Sequence, residues 1–154
     1  MKKVLFMALV AALIATSCSK EFTKKENASF KVNGIQYNIG EDGMGGGYWN
    51  GASTLLEVDI FGGQNQTIRP TIIVDLTKLN QVVQIDSLEE GFNYTHTNST
   101  LYRPKRGTWE ITSHKEGNPA SRHTEGKFEM VVFDPFNPTD TLTITDGYFY
   151  MNNY

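Results

Sequence analysis

The chain has 154 residues, with 14 basic and 17 acidic side chains, a net charge of −3 and a single cysteine. That length supports one domain with its own core, and one cysteine excludes an internal disulfide framework. The acidic balance excludes a general nucleic-acid or anionic-membrane surface, which needs a basic face.

The first residues have the build of a secretory leader. Lys2 and Lys3 precede the apolar run Val4–Ala15, and small residues follow at Thr16 and Ser17. The run falls short of the roughly 20 residues a membrane-spanning helix needs, so residues 1–17 are expected to be removed. Ala15-Thr16-Ser17-Cys18 resembles the lipobox of bacterial lipoproteins, with Ala15 where leucine is usual, a loosened form familiar in Bacteroidetes. The resemblance implies that Cys18 is the lipid attachment site and mature N-terminus. Cys18 is also the only thiol in the chain, and acylation consumes a group that an exported protein has little reason to leave free. Several buried acyl chains make a stable anchor where one is marginal. Losing Lys2 and Lys3 leaves the mature chain more acidic still.

Residues 18–28 are polar and lack an apolar period, and read as a tether to a folded domain at residues 29–154. The domain opens with Ser29-Phe30-Lys31-Val32, Asn33-Gly34 and Ile35-Gln36-Tyr37-Asn38-Ile39, a hairpin pattern with a type I′ turn. A two-residue loop sets Val32 opposite Ile35 and Phe30 opposite Tyr37. Gly40–Gly51 holds six glycines in twelve residues and is expected to be a loop. Strands follow at Leu55–Phe61, with Leu56, Val58 and Ile60 inward, and at Thr71–Leu76, with Ile72, Val74 and Leu76 inward. Thr77–Glu90 fits either a short helix or irregular chain with a short strand, the second being preferred.

Further strands are expected at Gly91–Thr95, Thr100–Arg103 and Thr108–His114, with Pro104-Lys105-Arg106-Gly107 as the turn between the last two. Lys127–Asp134 reads as a central strand, Pro135–Asp140 as a turn, and Thr141–Thr145 as a strand with Leu142 and Ile144 inward. At Asp146-Gly147 the inward parity changes to Phe149 and Met151, which either a bulge or a tight hairpin explains. Roughly eight to ten short strands with almost no helical pattern indicate an all-β fold: a single antiparallel β-sandwich, with a barrel as second choice.

The lipobox, the Phe30-Lys31-Val32-Asn33-Gly34 hairpin, and the pair Gly126-Lys127-Phe128-Glu129 and Thr143-Ile144-Thr145-Asp146-Gly147-Tyr148-Phe149 together resemble small uncharacterised Bacteroidetes lipoproteins. The resemblance implies an immunoglobulin-like or related β-sandwich in the cell envelope, anchored at the outer membrane, and it brings no catalytic residues. Surface-displayed members often carry an acidic cluster after the cysteine. Ser19-Lys20-Glu21-Phe22 does not match that pattern, so the periplasmic or exterior side stays open.

No motif announces chemistry. Gly40–Gly51 contains no lysine, as a phosphate cradle requires, and Tyr48 stands where a dinucleotide fingerprint after Gly43 and Gly45 needs glycine. No cofactor is therefore expected. Gly51-Ala52-Ser53-Thr54-Leu55 lacks the closing glycine of a nucleophile elbow. His96, His114 and His123 lack ligand spacing, so no metal is expected. Glu57 and Asp59 share a strand face but read as solvated acids. Tyr48, Trp49 and Asn50 form the best candidate ligand-binding loop, suited to stacking on sugar rings. Asp86-Ser87-Leu88 and Asp140-Thr141-Leu142 resemble Bacteroidetes O-glycosylation sites at Ser87 and Thr141. These features suggest a non-enzymatic envelope module that binds a glycan or an envelope protein, with the membrane engaged through lipid and no nucleic-acid partner. The alternative is a subunit of a pilus or surface assembly with an exchangeable edge strand at Tyr148–Tyr154; a hydrolase ranks third.

Overall fold

A computed structural model describes residues 24–48, 54–61, 69–86, 92–95, 100–117 and 122–152. Alternation of apolar and polar residues produces ten strands among them: β1 (Asn27–Val32), β2 (Ile35–Ile39), β3 (Met44–Tyr48), β4 (Leu55–Ile60), β5 (Arg69–Asp75), β6 (Val82–Asp86), β7 (Phe92–Thr95), β8 (Leu101–Lys115), β9 (His123–Asp134) and β10 (Asn137–Asn152). They form two antiparallel sheets, β2-β1-β10-β9-β8-β6 and β3-β4-β5-β7, not closed into a barrel. The fold is an all-β sandwich. No helix among the described residues is long and apolar enough to cross a membrane.

The sheets share β8. Along one of its edges β7 pairs with Leu101 and Tyr102, and β6 pairs with residues 106–110. The switch falls at Pro104-Lys105-Arg106, where the expected turn is instead a bulge inside one continuous strand: Pro104 pairs with Val132 and Arg106 with Val131. A proline cannot donate to the ladder and is tolerated at a bulge. The bulge also flips parity, so that Tyr102 is buried before it and Trp109 and Ile111 after it. Corners where strands change sheets are commonly made this way.

Between the sheets lies one core. Leu56, Val58, Ile60, Ile72 and Val74 from the smaller sheet meet Phe30, Phe128, Ile144, Phe149 and Met151 from the larger. Each such side chain, fully buried, contributes about 1.5–3 kcal/mol. The β1–β2 hairpin has the expected register, Val32 to Ile35 and Phe30 to Tyr37, with Asn33 and Gly34 both at positive φ. Its turn is tied to β10 by Asn33 N–H donating to the Thr143 carbonyl and Thr143 N–H donating to Asn33 Oδ1, each at 2.9 Å.

The glycine-rich segment departs from expectation. A short 3-10 turn at Glu41–Gly43 leads into β3, which pairs along β4 from Met44 with Ile60 to Tyr48 with Leu56. Gly43, Gly45 and Gly46 serve close approach: a Cβ on Gly46 would lie 3.0 Å from Met151 Sδ on the opposite sheet. Residues 76–78 form a 3-10 turn before β6, in keeping with the preferred reading of Thr77–Glu90. Asp146-Gly147 is a bulge, since β10 runs through it while Ile144 faces Met130 and Gly147 faces Phe128; Asp146 takes φ +53 there. β10 is bonded to β1 on one side and β9 on the other through Tyr148–Tyr150, so this part of the expected edge strand Tyr148–Tyr154 is interior. Residues 153–154 lie outside the described residues.

Gly126 pairs with Phe149 and Gly147 with Phe128, so each glycine carries the ring of its cross-strand neighbour. A Cβ on Gly126 would meet the Phe149 ring at 2.6 Å and the Glu110 carbonyl at 2.7 Å. Gly126→Ala is therefore expected to lower stability by about 1–3 kcal/mol through overpacking. Gly40→Ala, with nothing within 4 Å, should stay within about 0.5 kcal/mol of the parent. Urea denaturation of the two variants checks this, and equal midpoints would refute it.

Candidate functional site

The solvent face of the larger sheet carries an open groove of about 300 Å³, and register builds it. Gln84, Thr108 and Glu129 stand abreast on β6, β8 and β9. Arg106, Val131 and Thr143 form the neighbouring row on β8, β9 and β10. Thr145, just before the bulge, completes the lining on β10. With strands about 4.8 Å apart, each row of three spans about 10 Å. The floor includes Gly107, where a Cβ would lie 2.6 Å from Met130 Cβ. Only a missing side chain lets β8 and β9 approach so closely there.

The charges of this face are unevenly committed. Lys31 pairs with Asp146 at 2.7 Å and Lys24 with Glu125 at 3.3 Å. No ion pair of the described residues includes Arg106 or Glu129. Both are exposed, whereas Thr108, Val131 and Thr145 are half-buried. The groove thus presents one cation, one carboxylate, one amide, three hydroxyls and an apolar strip at Val131. Such a surface can hydrogen-bond a polyhydroxylated ligand from several directions, and it fits the usual pattern of an apolar surface with a few placed polar groups.

A second cluster occupies the far end of the same sheet. Lys24 Nζ lies over the Tyr150 ring at 4.4 Å and donates to Tyr148 Oη, which donates to Glu125 Oε1 at 2.8 Å. Burial opposes the Lys24 charge, but its bonds to Tyr148 and Glu125 leave its pKa raised. Asn152 donates to the Lys24 carbonyl at 3.0 Å and, through its N–H, to Glu26 Oε1 at 2.8 Å. The polar segment before β1 is thus strapped to the sheet from Lys24 onward. Nearby, Ser113 Oγ and His123 Nε2 are 3.1 Å apart, and His123 stacks on Tyr150.

The residues singled out from sequence are scattered. Cys18, Trp49, Asn50, Ser53, Ser87 and His96 lie outside the described residues. Tyr48 ends β3 opposite Leu56, on the smaller sheet and away from the groove. Thr141 is exposed near the start of β10, opposite Phe133. His114 Nδ1 lies 2.9 Å from the hydroxyl of buried Thr124. Glu57 and Asp59 do share a face. Burial and then Asp59 push the Glu57 carboxyl up, with Arg69 opposing, while Asp59 accepts from Arg69 at 3.4 Å and from Thr71. No group of three or more metal-ligating side chains occurs among the described residues. No family model, no curated protein and no solved structure matches the chain.

The groove residues themselves were not singled out from sequence. Their one signal is the alternation Thr141, Thr143, Thr145 on the outward positions of a strand whose inward partners are apolar.

Near the opposite end from Lys24, Tyr102 is buried and donates to Asp140 Oδ2 at 2.9 Å. Burial first, and then Asp140, push its phenol up from 10.0 to about 12. The folded state favours neutral Tyr102. Its stabilising contribution is complete below pH 10 and is lost as pH rises through about 12. Ultraviolet titration of the protein should show a phenol ionising near 12 that disappears in Tyr102→Phe. Persistence of that step in the variant would contradict the assignment.

Proposed function

We propose that the protein is a lipid-anchored envelope lipoprotein, held by Cys18, whose sandwich is a non-enzymatic module binding a saccharide in the groove over β6, β8, β9 and β10. The observation that carries this reading is the groove itself: hydroxyl, amide and charged groups converge from four strands around an apolar strip. A saccharide offers the complementary surface, with hydroxyls that donate and accept around its rim and C–H groups on its ring faces. Lys24, six residues after Cys18 in sequence, is strapped beside Glu125 and Asn152. The lipobox-like Ala15-Thr16-Ser17-Cys18 lies just upstream. The non-enzymatic part rests on the sequence, which carries no catalytic motif.

Two measurements test the proposal. Mass spectrometry of the protein exported from a lipoprotein-processing bacterium should show loss of residues 1–17 and acylation at Cys18, both abolished in Cys18→Ser. On a glycan array the mature protein should retain oligosaccharides with Kd between about 1 μM and 1 mM, or −8 to −4 kcal/mol. Thr108→Tyr, which fills the groove between Gln84 and Glu129, should lose that binding while keeping the parent melting temperature. Retained binding in a folded Thr108→Tyr variant would move the site elsewhere.

A further inference from the structure

We infer that the groove selects an acidic saccharide, with a uronate carboxylate on Arg106 and ring hydroxyls on Glu129, Thr108 and Thr145. This inference rests on the saccharide reading of the groove and names the class of sugar.

On the solvent face of the larger sheet Lys24 and Lys31 are each neutralised by a neighbouring carboxylate. Arg106, like Lys127 on the same face, has no such ion pair among the described residues, although Asp86 stands opposite it in register on β6. Its guanidinium is exposed at one wall of the groove. A planar fork of N–H donors matches a carboxylate with two parallel hydrogen bonds, a geometry lysine cannot reproduce. Position reinforces this. Arg106 follows the Pro104–Arg106 irregularity, which puts it on the groove side of β8 together with Thr108, two residues on.

Glu129 lies in the adjoining row, directly opposite Thr108. As an ionised carboxylate it only accepts hydrogen bonds, so it suits hydroxyl donors and repels a second anionic group. The two charges therefore impose direction on an acidic sugar. Its carboxylate belongs at the Arg106 row and its hydroxyls at the Glu129 row. The rows are two residues apart along the strands, or about 7 Å, roughly the span of one pyranose ring with its substituents. Val131 pairs with both Arg106 and Thr143 and lies between them, giving the ring's C–H face an apolar surface. A neutral sugar would leave the arginine's bidentate capacity unused, and a purely anionic ligand would meet Glu129.

The test compares a uronate oligosaccharide with the same oligosaccharide after its carboxyls are reduced to alcohols, titrated calorimetrically into the mature protein. The uronate should bind at least tenfold more tightly in low salt, and the margin should shrink as salt is added. Arg106→Gln should abolish the difference by weakening only the uronate, and Arg106→Lys should restore only part of it. Glu129→Gln should weaken both ligands. Equal affinities for the two, or an unchanged preference in Arg106→Gln, would overturn the inference and leave the saccharide reading standing. Failure of the mature protein to bind any saccharide, on the array or in solution, would overturn both.

Discussion

Two phenyl rings lying over two glycines set the register between β9 and β10. Phe149 needs the empty side of Gly126, and Phe128 needs that of Gly147, two residues along on each strand. Aromatic cover of a cross-strand glycine protects backbone that would otherwise be exposed and fills the space with apolar area. Because the arrangement is reciprocal, slipping the pair by one residue would strand both rings and place side chains where neither glycine tolerates a Cβ.

That lock has consequences on both faces of the sheet. Toward the interior it fixes Phe128, Phe149 and Met151 against the smaller sheet, whose β3 comes close enough for Gly46 to sit beside Met151. Toward solvent it forces the extra residue of β10 into the bulge ahead of Gly147, where Asp146 turns outward and meets Lys31. The bulge restores outward parity for Thr143 and Thr145 while Ile144 stays in the core. A second irregularity at Pro104–Arg106 performs the same exchange on β8 and brings Arg106 and Thr108 to the outer face. The groove exists because the two strands flanking β9 each change parity within reach of it.

Much of the fold is legible in the sequence because it is written in local terms. Asn33-Gly34 dictates its turn, and period-two runs such as Leu56, Val58, Ile60 dictate which face is buried. Parity also marks a change at Asp146-Gly147, which fits a hairpin turn equally well until the pairing with β9 shows a bulge. What resists reading is anything that depends on a distant strand. Gly43, Gly45 and Gly46 look like slack and prove to be contact points, a distinction that requires knowing that Phe61, β4 and Met151 lie against them. Pro104 looks like a turn because the sequence does not show β9 running beside it. The groove is the extreme case. Its side chains come from four strands between Gln84 and Thr145, none unusual alone, and only the ladder assembles them. Tyr48, chosen for its chemistry, lies on the other sheet.

Membership of β8 in both sheets gives the sandwich a seam that is covalent as well as packed. Where two sheets meet only through side chains and loops, no hydrogen-bonded ladder runs from one layer into the other. Here Leu101 and Tyr102 extend the smaller sheet through β7, and the same strand carries Trp109 and Ile111 into the larger. Peeling the layers apart must bend or melt the strand they have in common. The two layers therefore open as one cooperative unit, and a pull transmitted from the strapped segment at Lys24 reaches the smaller sheet along hydrogen-bonded backbone, through β10, β9 and β8 in turn.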